Sequence, residues 1–242
     1  MLIQVAALYR ASKKKRDNLW TEWVSRPPAA LLVYWLQHTA ITPNQISFVA
    51  ILVAAIGVGL LVGWTTWIGL IVAALVLQLA YVIDCVDGQL ARIKQMTSPV
   101  GALLDFMLDE VKAFLVLGGA AVRLWRLQHD DKFLLIGIVG LCAAASGITL
   151  TTFMRRDEYL AATGGKAVLP ATERADFLPR SFSPIALMES AGRLVLHYPS
   201  WFLLVAFSNR LEIFLYAYVG AHLLYLARAS LTVLMKLGRG PK

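Results

Sequence analysis

Apolar residues fall in long stretches rather than in a two-residue or 3.6-residue rhythm. Six stretches approach the ~20 residues that a bilayer-crossing helix requires: about 45–63, 67–92, 100–122, 133–153, 184–207 and 211–233. The breaks between them are polar or rich in turn residues: Gly63 to Thr66, Thr97-Ser98-Pro99, the loop from Arg123 to Lys132, a long segment over 155–182, and a turn at Asn209-Arg210. The pattern predicts an all-α polytopic membrane protein with six transmembrane helices. The stretch over 184–207 is the least regular, being only moderately apolar in its first half. Residues 18–38 differ again. Trp20, Trp23, Tyr34 and Trp35 are mixed with Arg26 and Pro27-Pro28. This composition predicts an interfacial helix, or a pair broken by the prolines, at the membrane surface. The chain thus divides into a basic and interfacial segment over 1–44 and a six-helix membrane domain over 45–242. A helix is expected to start near Asn44, with Pro43 in its first turn.

Composition strengthens this picture. Of 242 residues, 58% are hydrophobic, against roughly 45–50% in a soluble domain. The net charge of +8 is concentrated in Lys13-Lys14-Lys15-Arg16, in the segment from Arg155 to Arg180, and near the C-terminus. Beside apolar spans, such runs are cytoplasmic flanks near anionic lipid rather than nucleic-acid sites. With six spans, these regions and the 92–98 turn fall on one side. The positive-inside rule makes that side, including both chain ends, cytoplasmic. The first ten residues lack the order of a signal peptide, so the spans are expected to direct insertion. Two cysteines, Cys85 and Cys142, make neither a disulfide framework nor metal-ligand spacing and are expected to be small core residues. His38, His129, His197 and His222 show no ligand spacing.

Against this apolar background, four of the fifteen acidic residues lie at one corner, between the second and third stretches. Asp84 and Asp87 are three apart and share a helix face; Asp105 and Asp109 are four apart and share another. A short turn makes the two helices antiparallel neighbours, so the pairs can converge. Converging carboxylates repel, and a charged side chain at membrane depth costs ~2.5–3.5 kcal/mol on the insertion scale. Divalent cations relieve both problems, and an all-oxygen ligand set suits Mg²⁺, Mn²⁺ or Ca²⁺ rather than zinc. Gly88 and Ala91 clear bulk beside the first pair, as Gly101 does one turn before Asp105. An ion-coupled transporter would spread charges over several spans at mid-bilayer; here all four occupy one corner, next to Arg92.

The whole string, Asp84, Asp87, Gly88, Ala91, Arg92, Gly101, Asp105 and Asp109 at these spacings, resembles the signature of the CDP-alcohol phosphotransferases, with no fixed position departing from it. The six-span layout is similar to the family as well. The resemblance implies displacement of CMP from a CDP-linked donor by an alcohol, giving a phosphodiester. It implies Asp84, Asp87 and Asp105 as principal ligands of one or two divalent cations, with Asp109 at the metal site and as general base for the acceptor hydroxyl. It also implies Gly88, Ala91, Arg92 and Gly101 at the nucleotide, and a homodimer. Thr42-Pro43-Asn44-Gln45-Ile46-Ser47 resembles the family's segment at the start of the first span. There Asn44 and Ser47 would contact nucleotide, although helix capping explains them equally well. Arg155, Arg156 and Arg193 resemble residues that hold an acceptor phosphate in some relatives; the alternative is interfacial topology charge. The chain length is similar to the CDP-diacylglycerol branch, with glycerol phosphate, inositol phosphate, inositol or serine as acceptor. Ser25-Arg26-Pro27 together with the 42–47 segment also resembles relatives that join CDP-inositol to inositol phosphate, so two donors stay open.

Overall fold

The structure, a computed structural model, describes residues 1–13, 18–163 and 184–237. Lys14, Lys15, Arg16, the 164–182 part of the polar segment with Arg180, and the last basic residues lie outside the described residues. The described residues are helical, with no strand among them. Two helices precede the first span: α1 (Leu2–Ala11) and α2 (Arg26–Leu36). Then follow α3 (Pro43–Gly63), α4 (Trp67–Ile93), α5 (Pro99–Gln128), α6 (Lys132–Phe153), a short α7 (Asp157–Thr163), α8 (Pro184–Leu196), α9 (Phe202–Ser208) and α10 (Leu211–Leu237).

Four helices, α3, α4, α6 and α10, are long and apolar enough to cross a membrane. With their length and apolar surfaces they make this a multi-pass membrane protein. Helix α5 has 30 residues, but its acids and buried cations set its composition apart. The stretch over 184–207, expected as one helix, is divided. Helix α8 stops at Leu196, a 3₁₀ turn spans Tyr198–Ser200, and α9 begins at Phe202. Pro199 causes the break: it has no N–H to donate and disfavours helical backbone in the residue before it.

The prolines of the N-terminal segment have the opposite outcome. The helix passes through them, because Thr21–Ser25 form a π-helical turn and Pro27 and Pro28 follow it directly. The wider turn carries the N–H of Arg26 back to Thr21 O, and the two residues after it have no N–H to satisfy. The expected start of α3 is also refined. Thr42 is its N-cap and forms a capping box with Gln45, which supplies the donors and acceptors of the first turn. Asn44 and Ser47 are therefore not the caps.

Helix α3 packs against α4 and α5, α5 against α6, and α6 against α10. Leu61, Leu77, Leu117, Leu124, Phe133, Phe202 and Phe214 fill the common core. Small residues allow close approach: a Cβ on Gly119 would lie 2.7 Å from Val58, and one on Gly140 2.6 Å from Val219. Such contacts replace the hydrophobic driving force that lipid does not supply. Cys142, expected in the core, is exposed on α6. In a membrane helix the outward face is as apolar as the inward one, so an apolar run does not distinguish them.

Arg123 secures the end of the bundle away from the acidic corner. It is 1% exposed. Its guanidinium donates to Leu61 O at 2.8 Å, Trp64 O at 2.7 Å, Thr65 O at 2.9 Å and Thr66 O at 2.7 Å. The first three are carbonyls freed where α3 ends and the chain turns into α4; Thr66 O also accepts from Leu70 N. Thr66 caps α4 through Gly69 N, and Gly69 is required there because a Cβ would lie 2.2 Å from Trp64 O.

Candidate active site

The acidic corner brings three of the four acids together. Helix α4 ends at Ile93, Gln95 adopts φ 56°, and Ser98 caps α5 by accepting from Gly101 N at 3.0 Å. A Cβ on Gly101 would crowd that cap, 3.1 Å from Ser98 Oγ and 3.8 Å from Asn44 Oδ1, so three elements meet closely here. Asp84 and Asp87 are both buried, at 9% and 7% exposure. Asp84, Asp105 and Asp109 each bring a carboxylate oxygen within 4.8 Å of the others. Asp87 lies outside that triple. Its Oδ2 accepts from Ser47 Oγ at 2.5 Å, while Ser47 also donates to Pro43 O. Ser47 therefore ties the start of α3 to the second acid of α4.

The spacing did not identify Lys112. Its side chain is 3% exposed, and its Nζ lies 2.5 Å from Asp84 Oδ1 and 2.7 Å from Asp109 Oδ1. A signal was present: Lys112 is the one charged residue over 111–122 and sits three residues after Asp109, hence on the acidic face. One ammonium does not balance four carboxylates, so the all-oxygen cluster still suits a divalent cation.

Arg92 and Gly88 lie together. A Cβ on Gly88 would be 3.5 Å from the Arg92 guanidinium, so the space left by the glycine adjoins that group. Arg92 Nε donates to Ser12 O at 2.6 Å. Lys94 Nζ donates to Thr39 O and Ile41 O, each at 2.8 Å. These bonds draw both the end of α1 and the α2–α3 link onto the corner. Ala91, one residue before Arg92, is half-buried.

A cavity of about 280 Å³ opens beside Asp109, walled by residues of α4, α5, α6, α10 and the turn after α8. Lys112, Arg155, Tyr81, His197 and His222 line it. Arg155 stands 6.0 Å from the Phe106 ring centre. Arg156 and Arg193 are not among the lining residues. Arg156 follows Arg155 directly, and successive side chains after a helix diverge; Arg193 Nη2 instead donates to Ser190 Oγ at 3.0 Å. The structure thus separates three arginines that the sequence treated alike.

His197 joins a buried polar chain. Its Nε2 is 2.8 Å from Tyr81 OH and 3.2 Å from Asn18 Nδ2, its Nδ1 pairs with Ser200 Oγ, and Tyr81 OH is 2.6 Å from Thr21 Oγ1. Through it the N-terminal segment contacts the cavity wall, a link between residues 179 apart. No local spacing could reveal it.

Bundle and corner together define a polytopic membrane protein built around clustered carboxylates. The sequence profile of the CDP-alcohol phosphatidyltransferases matches residues 40–208, and the chain belongs to that family. It is 39% identical over 87 residues to the bifunctional IPC transferase and DIPP synthase of Rubrobacter xylanophilus, a stretch covering 36% of this chain and 19% of that protein. The protein of the same name from Thermococcus kodakarensis is 36% identical over 69 residues, covering 28% of this chain and 15% of the relative. The matched stretches thus span less than a fifth of either relative's length.

Proposed function

We propose that this protein displaces CMP from a CDP-linked donor with the hydroxyl of a small polar alcohol, Asp109 being the general base. The observation that carries the reading is the cavity beside Asp109, which gives an acceptor a place next to the base. Asp84, Asp87 and Asp105, with Asp109, would hold Mg²⁺ or Mn²⁺. When bound, such an ion would neutralise the pyrophosphate and stabilise the departing CMP. Asp109 accepts the acceptor proton as the oxygen attacks phosphorus and the phosphorus–oxygen bond to CMP breaks. Its side chain is 45% exposed, the access such a base needs. Lys112 holds that carboxylate in place. Arg92, Gly88, Ala91, Gly101, Asn44 and Ser47 form the nucleotide side, and Arg155 receives an acceptor phosphate. Arg156 and Arg193 remain interfacial charges.

Residues 45–242 form the catalytic membrane domain, residues 1–44 cover its surface, and the acidic corner and both chain ends face the cytoplasm. The cavity, near the lower end of the roughly 300–1,000 Å³ of ligand sites, suits a small acceptor. CDP-diacylglycerol is the donor in the first reading. The likeness to the two bifunctional transferase–synthases favours a second, in which CDP-inositol is joined to an inositol phosphate or a lipid acceptor. Purified protein with Mg²⁺ or Mn²⁺ should release CMP from one of these donors when a matching acceptor is added. Release from CDP-diacylglycerol alone selects the first reading and release from CDP-inositol alone the second. No release across a broad donor and acceptor panel would discard the proposal.

A further inference from the structure

The wall of the cavity formed by α10 carries a polar group that no described residue satisfies. His222 on α10 is 7% exposed, lines the cavity, and has no hydrogen-bond partner for its buried Nε2. Tyr218 stands edge-on to the imidazole, with ring centres 4.7 Å apart and planes at 82°. Tyr218, His222 and Tyr225 are four and three residues apart, so they share one helix face, and all three line the cavity. Tyr81, Phe106 and Tyr198 add further rings. Asp109, Glu110, Lys112 and Arg155 supply its ionisable acids and bases beside the imidazoles. The result is an aromatic chamber with ionisable groups around the base and, on α10, an imidazole whose Nε2 has no partner among the described residues.

A buried nitrogen without a partner is unfavourable, and few such groups persist in folded proteins without a reason. Here the group borders a space that a ligand can enter. Resting on the reading of this cavity as the acceptor site, we infer that His222 is a specificity-determining residue. Its Nε2 hydrogen-bonds a hydroxyl of the acceptor other than the one that attacks. The acceptor is therefore a polyhydroxylated alcohol, with one hydroxyl at Asp109 and a second at His222. A site that hydrogen-bonds a hydroxyl rejects the analogue lacking it, because its own buried group is then left unpaired.

The test compares wild type with His222→Phe and His222→Gln, using the full chain in detergent with Mg²⁺ or Mn²⁺. Probes are glycerol 3-phosphate, inositol and inositol 1-phosphate. 2-Hydroxyethyl phosphate, which carries a single hydroxyl, is the control, used as substrate or as competitive inhibitor. His222→Phe should raise KM for the polyhydroxyl probe that wild type uses by on the order of tenfold. The kcat, the donor KM and the response to the control should stay within about twofold. His222→Gln, which keeps a hydrogen-bonding group, should recover part of the loss, and its thermal stability shows that the fold is intact. An unchanged KM in His222→Phe overturns the inference. So does an equal loss with the control, or a fall in kcat with a rise in donor KM, either of which marks a merely structural residue. If wild type releases no CMP with any donor and probe, the acceptor-site reading falls and this inference with it. If wild type turns over and only the His222 response is missing, the inference alone falls.

Discussion

Helix α5 buries two cations, Lys112 in its acidic N-terminal half and Arg123 near its C-terminal end, and the two are held in different ways. Arg123 meets four backbone carbonyls at the turn between α3 and α4. Lys112 meets two carboxylates, Asp84 and Asp109. The planar guanidinium satisfies several fixed acceptors at once and closes a loop, which is a structural task. The flexible ammonium sits among acids that outnumber it and that can take other cations. The Arg123 site is therefore closed by the chain's own carbonyls, with only Nε left without a partner, whereas the Lys112 site lies in a carboxylate cluster that suits a divalent cation.

Substitutions can break this contrast. The largest effect is expected from Asp109→Asn in the carboxylate cluster: CMP release should fall about 10²–10⁴-fold, with metal-dependent CDP binding and thermal stability close to wild type. Normal turnover would remove Asp109 as the base. At the closed end, Arg123→Met leaves three carbonyls without a donor and should cost about 3–5 kcal/mol. Thermal unfolding in detergent measures this; the loss should be insensitive to Mg²⁺, and the acceptor KM of the remaining folded protein unchanged. Lys112→Met should cost less, about 1–3 kcal/mol in EDTA, because Asp109 keeps access to water. Unlike the arginine variant, it should regain most of that stability with Mg²⁺ or Mn²⁺. Equal behaviour of the two variants toward metal would show that both cations are merely structural. The smallest effect is expected from Arg155→Ala, a rise of several-fold in KM for a phosphorylated acceptor, since a partly exposed charge is worth about 1 kcal/mol. Arg156→Ala should leave that KM unchanged; a similar rise in both would return the pair to one role.

Legibility followed the distance over which each feature acts. Helices α3, α4, α6 and α10 were readable because a membrane helix needs only a long apolar run. The convergence of Asp84, Asp105 and Asp109 was readable because three- and four-residue spacings set a face and a short turn sets a neighbour. Asp87 shared the spacing but turned to Ser47, a choice made by the position of α3. The 184–207 stretch and Pro27-Pro28 show that a proline's effect depends on the local hydrogen bonding. Pro199 divides a helix, while two prolines after a π turn continue one.

The sequence by itself determined an all-helical membrane protein, a signature of acids and small residues at one corner, and the family to which they belong. These depend on hydropathy and on intervals of a few residues, which the chain displays directly. Only the tertiary structure decided that Lys112 lies between Asp84 and Asp109, that Arg155 rather than Arg156 or Arg193 lines the cavity, and that His197 bonds Tyr81 while His222 Nε2 finds no partner. Each depends on which faces of separate helices meet, and in a chain with apolar surfaces on every side the hydrophobic pattern does not mark those faces.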